Sequence, residues 1–312
     1  MTKSISCVFQ MDPLKNLNFE TDSTVALIRK AITMGIDVWF TTANTLTFID
    51  NRAKVIGQFV ENTDLKLGPK QQLSLEKFDY YFIRQDPPFD MDYLTNLYIL
   101  EIHNKVYEKP FFVNHPSSIK NFTEKIFPFF FDEFMPYSVI SADIKIFSEM
   151  VEKFGTVVLK TLYNKGGEGI HKVTDFNEKS IKLFNAATNN HKTQIIIQEF
   201  IEDVKNGDKR ILILNGKPEG FVNRIPRSGQ FKANLHLGGK AERTILTQKE
   251  KKICNKLSST LISQKLFFVG IDIINEKLTE INVTSPTGIV QIESLYGVDL
   301  CKVFWEKLIK FS

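Results

Sequence analysis

Gly270 to Gly288 reads G-I-D-I-I-N-E-K-L-T-E-I-N-V-T-S-P-T-G, two short runs of alternating β-formers around a polar Asn275-Glu276-Lys277 turn. That is the pattern of a β-hairpin. A turn centred on Glu276 sets Asp272 directly opposite Glu280, and Asn282 shares the face of Glu280. A two-residue loop would shift this register by one. Carboxylates facing each other across a ladder repel unless a positive charge lies between them. A hard divalent cation is one solution, and carboxylate and amide oxygens are what Mg²⁺ accepts. Ile271, Ile273, Ile281 and Val283 make the opposite face apolar, so the hairpin belongs in a packed sheet rather than at a solvated surface.

The rest of the chain fits a soluble α/β enzyme. Its 312 residues are 43% hydrophobic, ample for two or three subdomains. No apolar run reaches the length of a membrane span, and Met1-Thr2-Lys3-Ser4 leads straight into a strand, so neither membrane insertion nor a signal peptide is expected. Cys7, Cys254 and Cys301 are far apart and odd in number, without metal-ligand or disulfide spacing, which points to a reducing cytoplasm. The net charge of +4 is spread without basic blocks. Nucleic acid is not implied, and an anionic small substrate is compatible.

Strands are expected at Ile5–Gln10, Ile36–Thr41, Tyr80–Ile83 and Phe111–Asn114. Helices are expected after Thr21-Asp22-Ser23 and over Tyr93–Tyr107, with a second mini-sheet around Thr47–Phe59. This alternation favours a mostly parallel sheet. Beyond residue 120 come a helix over Glu124–Phe131, strands Val157–Lys160, Ile170–Val173 and Gln194–Gln198, and a helix from Glu178. A long antiparallel stretch then ends in the hairpin, and a last helix covers Val298–Phe311.

Two further signals carry chemistry. Val157-Val158-Leu159-Lys160 followed by Lys165-Gly166-Gly167-Glu168-Gly169 is a strand that delivers a lysine to glycines with bare backbone N–H groups, a concavity for phosphate oxygens. It lacks the spacing and following helix of a P-loop, and an ordinary turn would read the same way. Gln198-Glu199-Phe200-Ile201 leaves a strand with polar and apolar groups suited to a purine edge, or simply ends it. Gly207-Asp208-Lys209-Arg210 then places an arginine that would brace a transferring phosphoryl group, although a surface turn looks alike.

In order along the chain, Met11-Asp12-Pro13, Arg84-Gln85-Asp86-Pro87-Pro88-Phe89-Asp90, Thr123-Glu124-Lys125, the Lys160–Gly169 loop, Gly207–Arg210, Arg224-Ile225-Pro226 and the final T-E-I-N-V-T-S-P-T-G string resemble the bacterial-type glutathione synthetases of the ATP-grasp superfamily. The resemblance covers essentially the whole length. It implies a small pre-ATP-grasp α/β domain over residues 1–122, then an ATP-grasp unit over 123–312. In that unit a lid lobe (about 131–200) and a C-terminal lobe (about 201–312) clamp the nucleotide. The implied reaction joins γ-glutamylcysteine to glycine with ATP, through an acylphosphate, in a cytoplasmic homotetramer or homodimer. Lys125 and Lys160 would hold phosphates under Gly166, Gly167 and Gly169. Gln198, Glu199, Phe200 and Ile201 would frame adenine, Asp208 would contact ribose or a phosphate-bound metal, and Arg210 the transferring phosphoryl group. Asp272, Glu280 and Asn282 would bind two Mg²⁺ ions, with Mn²⁺ as an alternative. Arg84, Arg224, Ser285 and Thr287, together with Asn282, would meet the peptide and glycine.

The chain departs from that pattern twice. Lys160 is followed by Thr161-Leu162-Tyr163-Asn164 instead of Pro-Leu-Asp-Gly, and an arginine-glycine pair reads Lys232-Ala233. Ile225–Lys240, with Pro226, Gly229, Gly238 and Gly239, reads as a lid loop. The alternatives are another ATP-grasp carboxylate–amine ligase and a nucleotide-binding regulator without turnover.

Overall fold

The computed structural model describes residues 4–164, 167–235 and 238–311, so Gly166 lies outside the described residues. The first sheet has seven strands: β1 (Ser6–Met11), β2 (Asp37–Thr41), β3 (Thr47–Ile49), β4 (Arg52–Val60), β5 (Leu67–Ser74), β6 (Tyr80–Arg84) and β7 (Phe111–Val113). Their order is β3-β4-β2-β1-β6-β7, with β5 on β4. The β2-β1-β6-β7 run is parallel, as the strand–helix alternation requires. The expected separate mini-sheet instead extends this sheet antiparallel, through Trp39 opposite Phe59. Around it lie α1 (Ser23–Thr33), capped by Asp22 accepting from the Val25 N–H, α2 (Met91–Val106), capped by Asp90, and the short α3 (Pro116–Asn121).

The helix expected over Glu124–Phe131 is a 3₁₀ segment, Phe127–Phe134, broken by non-helical backbone at Phe131. The second sheet is antiparallel, in the order β10-β9-β11-β8: β8 (Ser138–Ser141), β9 (Val157–Lys160), β10 (Ile170–Val173) and β11 (Ile195–Glu199). Helices α4 (Ile144–Phe154) and α5 (Glu178–Ala187) seal it with a core centred on Phe147 and Phe184, stacked at 4.8 Å.

The third sheet, also antiparallel, runs β14-β13-β12-β15-β16: β12 (Asp208–Leu214), β13 (Lys217–Ile225), β14 (Lys240–Glu242), β15 (Phe268–Ile274) and β16 (Lys277–Asn282). A helix, α6 (Gln248–Ser263), interrupts the long antiparallel stretch that ends in the hairpin. A further helix, α7 (Ile289–Tyr296), precedes the expected last helix, which forms as α8 (Leu300–Phe311). Trp305 and Phe304 of α8 bury themselves against Phe9 and Phe82 of the first sheet, and the indole N–H of Trp305 donates to Leu27 O at 2.9 Å. The C-terminal helices therefore complete the core of the N-terminal unit.

The decisive hairpin forms by an unexpected route. Its turn has two residues, Asn275 and Glu276, both with positive φ (47° and 60°), the geometry of a type I′ turn. Alone, that turn would shift the register by one. A β-bulge at Thr279 inserts one residue and restores Asp272 opposite Glu280. Thr279 Oγ1 donates to Asp272 O at 3.1 Å across the bulge. The apolar face is fully used: Ile271, Ile281 and Val283 are 0% exposed and Ile273 1%. Each such side chain contributes roughly 1.5–3 kcal/mol of burial free energy.

Candidate active site

The second and third sheets, with loops that leave the first, surround a cleft of about 840 Å³. The hairpin pairing continues into β12, because Arg210 stands directly opposite Asp272. One face of the third sheet thus carries a row of alternating charge: Arg210, Asp272, Glu280. Beside it Asp208 stands opposite Arg224 on β13. Arg210 grips Asp272 with two bonds, Nε to Oδ1 at 2.5 Å and Nη2 to Oδ2 at 3.0 Å. Arg224 Nη2 lies 2.6 Å from Asp208 Oδ2 and 3.1 Å from Asp272 Oδ1. Guanidinium groups thus neutralise Asp272 from the β12 side, whereas no ion pair reaches Glu280 among the described residues. Burial alone would raise the Asp272 carboxyl, but Arg210 and Arg224 hold it well below the usual range. Asp208 is pushed up to about 6 by burial and the nearby Asp272, with Arg224 opposing, and its Oδ1 is buried without a hydrogen-bond partner among the described residues.

Glu280 and Asn282 project from alternate positions of β16 into the cleft, and Ser285 and Thr287 follow on the loop. Lys160, at the end of β9, reaches the cleft from the second sheet, and burial lowers its pKa. Gln198, Glu199, Phe200 and Ile201 form the wall beneath it. Gln198 Nε2 donates to Ser138 Oγ at 2.7 Å, Glu199 is paired with Lys277 at 2.9 Å, and Lys172 Nζ sits 3.7 Å over the Phe200 ring.

Three expected residues stand off the described lining. Lys125 is buried, with Nζ donating to Asn164 O at 2.6 Å. Gly169 (φ 66°) turns against Thr161, whose Oγ1 would meet an added Cβ at 1.9 Å. Arg84 lies behind the wall, with Nη1 buried and unpartnered among the described residues. Its Nε donates to Thr24 Oγ1 at 3.0 Å, its Nη2 to Pro286 O at 2.9 Å, and its guanidinium rests 5.2 Å from the Phe268 ring centroid. Arg84 thereby braces the Ser-Pro-Thr loop from the first sheet, and Asn114 Nδ2 does the same through Val283 O at 2.7 Å.

Glu124 is a cleft residue whose role the sequence does not mark. It accepts from Thr284 Oγ1, and burial, then the charge of Glu280, raises it to about 7. Asn16, Asn18, Thr21 and Asp22 add a rim from the first unit. The departures from the family pattern have visible contacts. The Phe89 N–H donates to Tyr163 O at 3.1 Å, and Lys232 Nζ reaches Gly167 O at 2.6 Å, joining the glycine loop to the 225–240 segment.

The donor set of Asp272, Glu280 and the Asn282 amide is all hard oxygen, so the residues fit a divalent cation with nucleotide phosphates. The fold is that of the ATP-grasp ligases. D-cycloserine synthetase DcsG superposes with a TM-score of 0.69 at 10% identity, covering 98% of this chain and 99% of the other. D-alanyl-alanine synthetase A from Vibrio cholerae gives 0.63 at 16%, covering 99% of each. Within that fold, the prokaryotic glutathione synthetase N-terminal domain matches residues 5–120 and the prokaryotic glutathione synthetase ATP-grasp domain residues 124–297. Glutathione synthetases from Bradyrhizobium diazoefficiens and Prochlorococcus marinus are each 37% identical, covering 97% of this chain and 98% of the relative. The chain belongs to the prokaryotic glutathione synthetase family.

Proposed function

We propose that the protein joins γ-glutamylcysteine to glycine, with ATP converted to ADP and phosphate. The observation that supports this best is the charged row Arg210–Asp272–Glu280 facing Lys160 in one cleft. Among the described residues lining that cleft there is no cysteine or histidine. Such a site suits a reaction run by alignment and charge neutralisation rather than by a protein nucleophile. The γ-phosphoryl group of ATP passes to the cysteinyl carboxylate, the glycine amine attacks the resulting acylphosphate, and phosphate leaves. Lys125 and Lys160 hold phosphate oxygens, Arg210 braces the transferring group, and Gln198 to Ile201 frame the base. Arg224, Ser285 and Thr287 face the peptide and glycine. Two divalent cations held by Asp272, Glu280 and Asn282, Mg²⁺ with Mn²⁺ as alternative, would neutralise the phosphates. A cytoplasmic homotetramer or homodimer completes the proposal. The test is phosphate release with ATP, Mg²⁺ and γ-glutamylcysteine across a panel of small amino acids. Release that needs both γ-glutamylcysteine and glycine supports the assignment, and release indifferent to either one rejects it.

The absence of a protein thiol from the chemistry has its own test. Cys7 and Cys254 are 0% exposed and Cys301 2%, and burial pushes all three thiols up, Cys254 to about 12. Ellman's reagent is expected to titrate no thiol in the native protein and three in denaturant. A folded triple serine variant should keep its turnover. A folded variant without turnover would bring a thiol into the mechanism.

The 225–240 segment is proposed as a lid that shields the acylphosphate from water. Arg227 and Lys240 are exposed, whereas Lys232 is half-buried on the glycine loop. Trypsin is therefore expected to cut first at Arg227 or Lys240, and ATP, Mg²⁺ and γ-glutamylcysteine together should slow it. Equal cleavage with and without ligands would mark a passive surface loop.

A further inference from the structure

The Asp272 carboxylate is saturated. Its Oδ1 faces Arg210 Nε at 2.5 Å and Arg224 Nη2 at 3.1 Å, and its Oδ2 faces Arg210 Nη2 at 3.0 Å and Asn282 Nδ2 at 3.4 Å. A carboxylate offers about four lone-pair sites, so a cation binding there must displace a donor. The three candidates differ in what they would lose. Arg210 would give up a two-point fork, and its Nη1 is also engaged, on Thr287 O at 3.2 Å. The Asn282 amide would give up Gly270 O at 3.2 Å along with Asp272. Turning its oxygen inward would set it against two acceptors.

Arg224 is placed differently. Its Nη2 is already closer to Asp208 Oδ2, at 2.6 Å, than to Asp272, and its Nε lies 3.3 Å from Asp208 O. Asp208 also keeps Oδ1 buried and unpartnered among the described residues, so it can accept a second guanidinium N–H. A small shift of Arg224 from Asp272 to Asp208 exchanges a shared contact for a forked one, which is the stronger geometry. It leaves Arg210 and the cation to balance Asp272 and Glu280.

We propose that Asp208 is a positioning residue that draws Arg224 off Asp272 as the cation binds. Asp208 and Arg224 then set cation affinity with opposite signs while neither ligates it. This rests on the reading of Asp272 as a cation ligand. The consequence is a non-additivity that plain charge change does not give: removing the competitor tightens binding, removing its alternative acceptor weakens it, and removing both leaves only the first effect.

The measurement is Mn²⁺ binding to the full-length protein, followed by electron paramagnetic resonance of the free ion, with folding checked by circular dichroism. Arg224→Gln is expected to bind Mn²⁺ about tenfold more tightly than the parent, and Asp208→Asn about tenfold more weakly, the scale of one charge-assisted hydrogen bond. The double variant should match Arg224→Gln, because with no arginine to relocate Asp208 has nothing to accept. Should Arg224→Gln not fold, Arg224→Met serves. Methionine keeps the length of the side chain and removes every donor, and on that background Asp208→Asn should have no further effect. Unchanged or weaker binding in a folded Arg224→Gln, parental binding in Asp208→Asn, or a double variant midway between the two singles overturns the proposal. An Asp272→Asn control separates the two layers: parental Mn²⁺ affinity there would refute the cation assignment itself.

Discussion

Glu280→Gln is expected to lower ligation by about a thousandfold or more while leaving the protein folded, the upper end of what one transition-state charge contact supplies. The reasoning joins two observations. Glu280 stands in register with Asp272 at the cleft, so its charge belongs to whatever neutralises the phosphates. No ion pair or hydrogen bond holds its side chain among the described residues, so the fold does not depend on that charge. Glutamine keeps the shape and removes the charge. Phosphate release at saturating Mg²⁺ measures the loss, and a melting curve checks the fold. The Glu124 carboxyl, raised in part by Glu280, should also fall back toward its ordinary value in this variant. Turnover near the parental level would remove Glu280 from the site.

How much of this site could be read beforehand depends on how local each feature is. The hairpin was legible because alternation and a polar turn are properties of adjacent residues. Its register came out as expected only because the Thr279 bulge cancels the two-residue turn, and neither deviation is visible without the backbone. The guanidinium clamp on Asp272 could not be read. It arises because β12, some sixty residues upstream, lies next to β15, an adjacency set by tertiary packing. The surroundings of Arg84 could not be read for the same reason. A loop-edge arginine beside prolines looks available, but Thr24, Phe268 and Pro286 converge on it from three distant segments. Helix α6 is a different case. Thr247 and Glu250 form a capping box, and Ile253, Leu257 and Leu261 follow at helical spacing, so its signal was present. Asp143, which caps α4, was equally available. Glu124 had no such signal, because its importance comes from burial against Thr284 and Glu280.

Arg210→Lys is expected to lower turnover by about a hundredfold to a thousandfold, although the charge is kept. Arg210 is 6% exposed and uses all three guanidinium nitrogens, Nε and Nη2 on Asp272 and Nη1 on Thr287 O. A lysine ammonium can meet one or two of these acceptors but cannot hold the planar fork. The stability loss should stay near 1–3 kcal/mol, since Asp272 retains a cation and Arg224 remains beside it. Catalysis should suffer more, because a transferring phosphoryl group needs its cation fixed in place before charge develops. If Arg210 acts there, kcat should fall with little change in the KM for ATP, the mark of an interaction made mainly in the transition state. If the arginine only ties β12 to β15 and the Thr287 loop, the melting temperature should drop while kcat stays parental. A folded lysine variant with parental kcat would therefore reduce Arg210 to a structural tie and leave the phosphoryl group to Lys125 and Lys160.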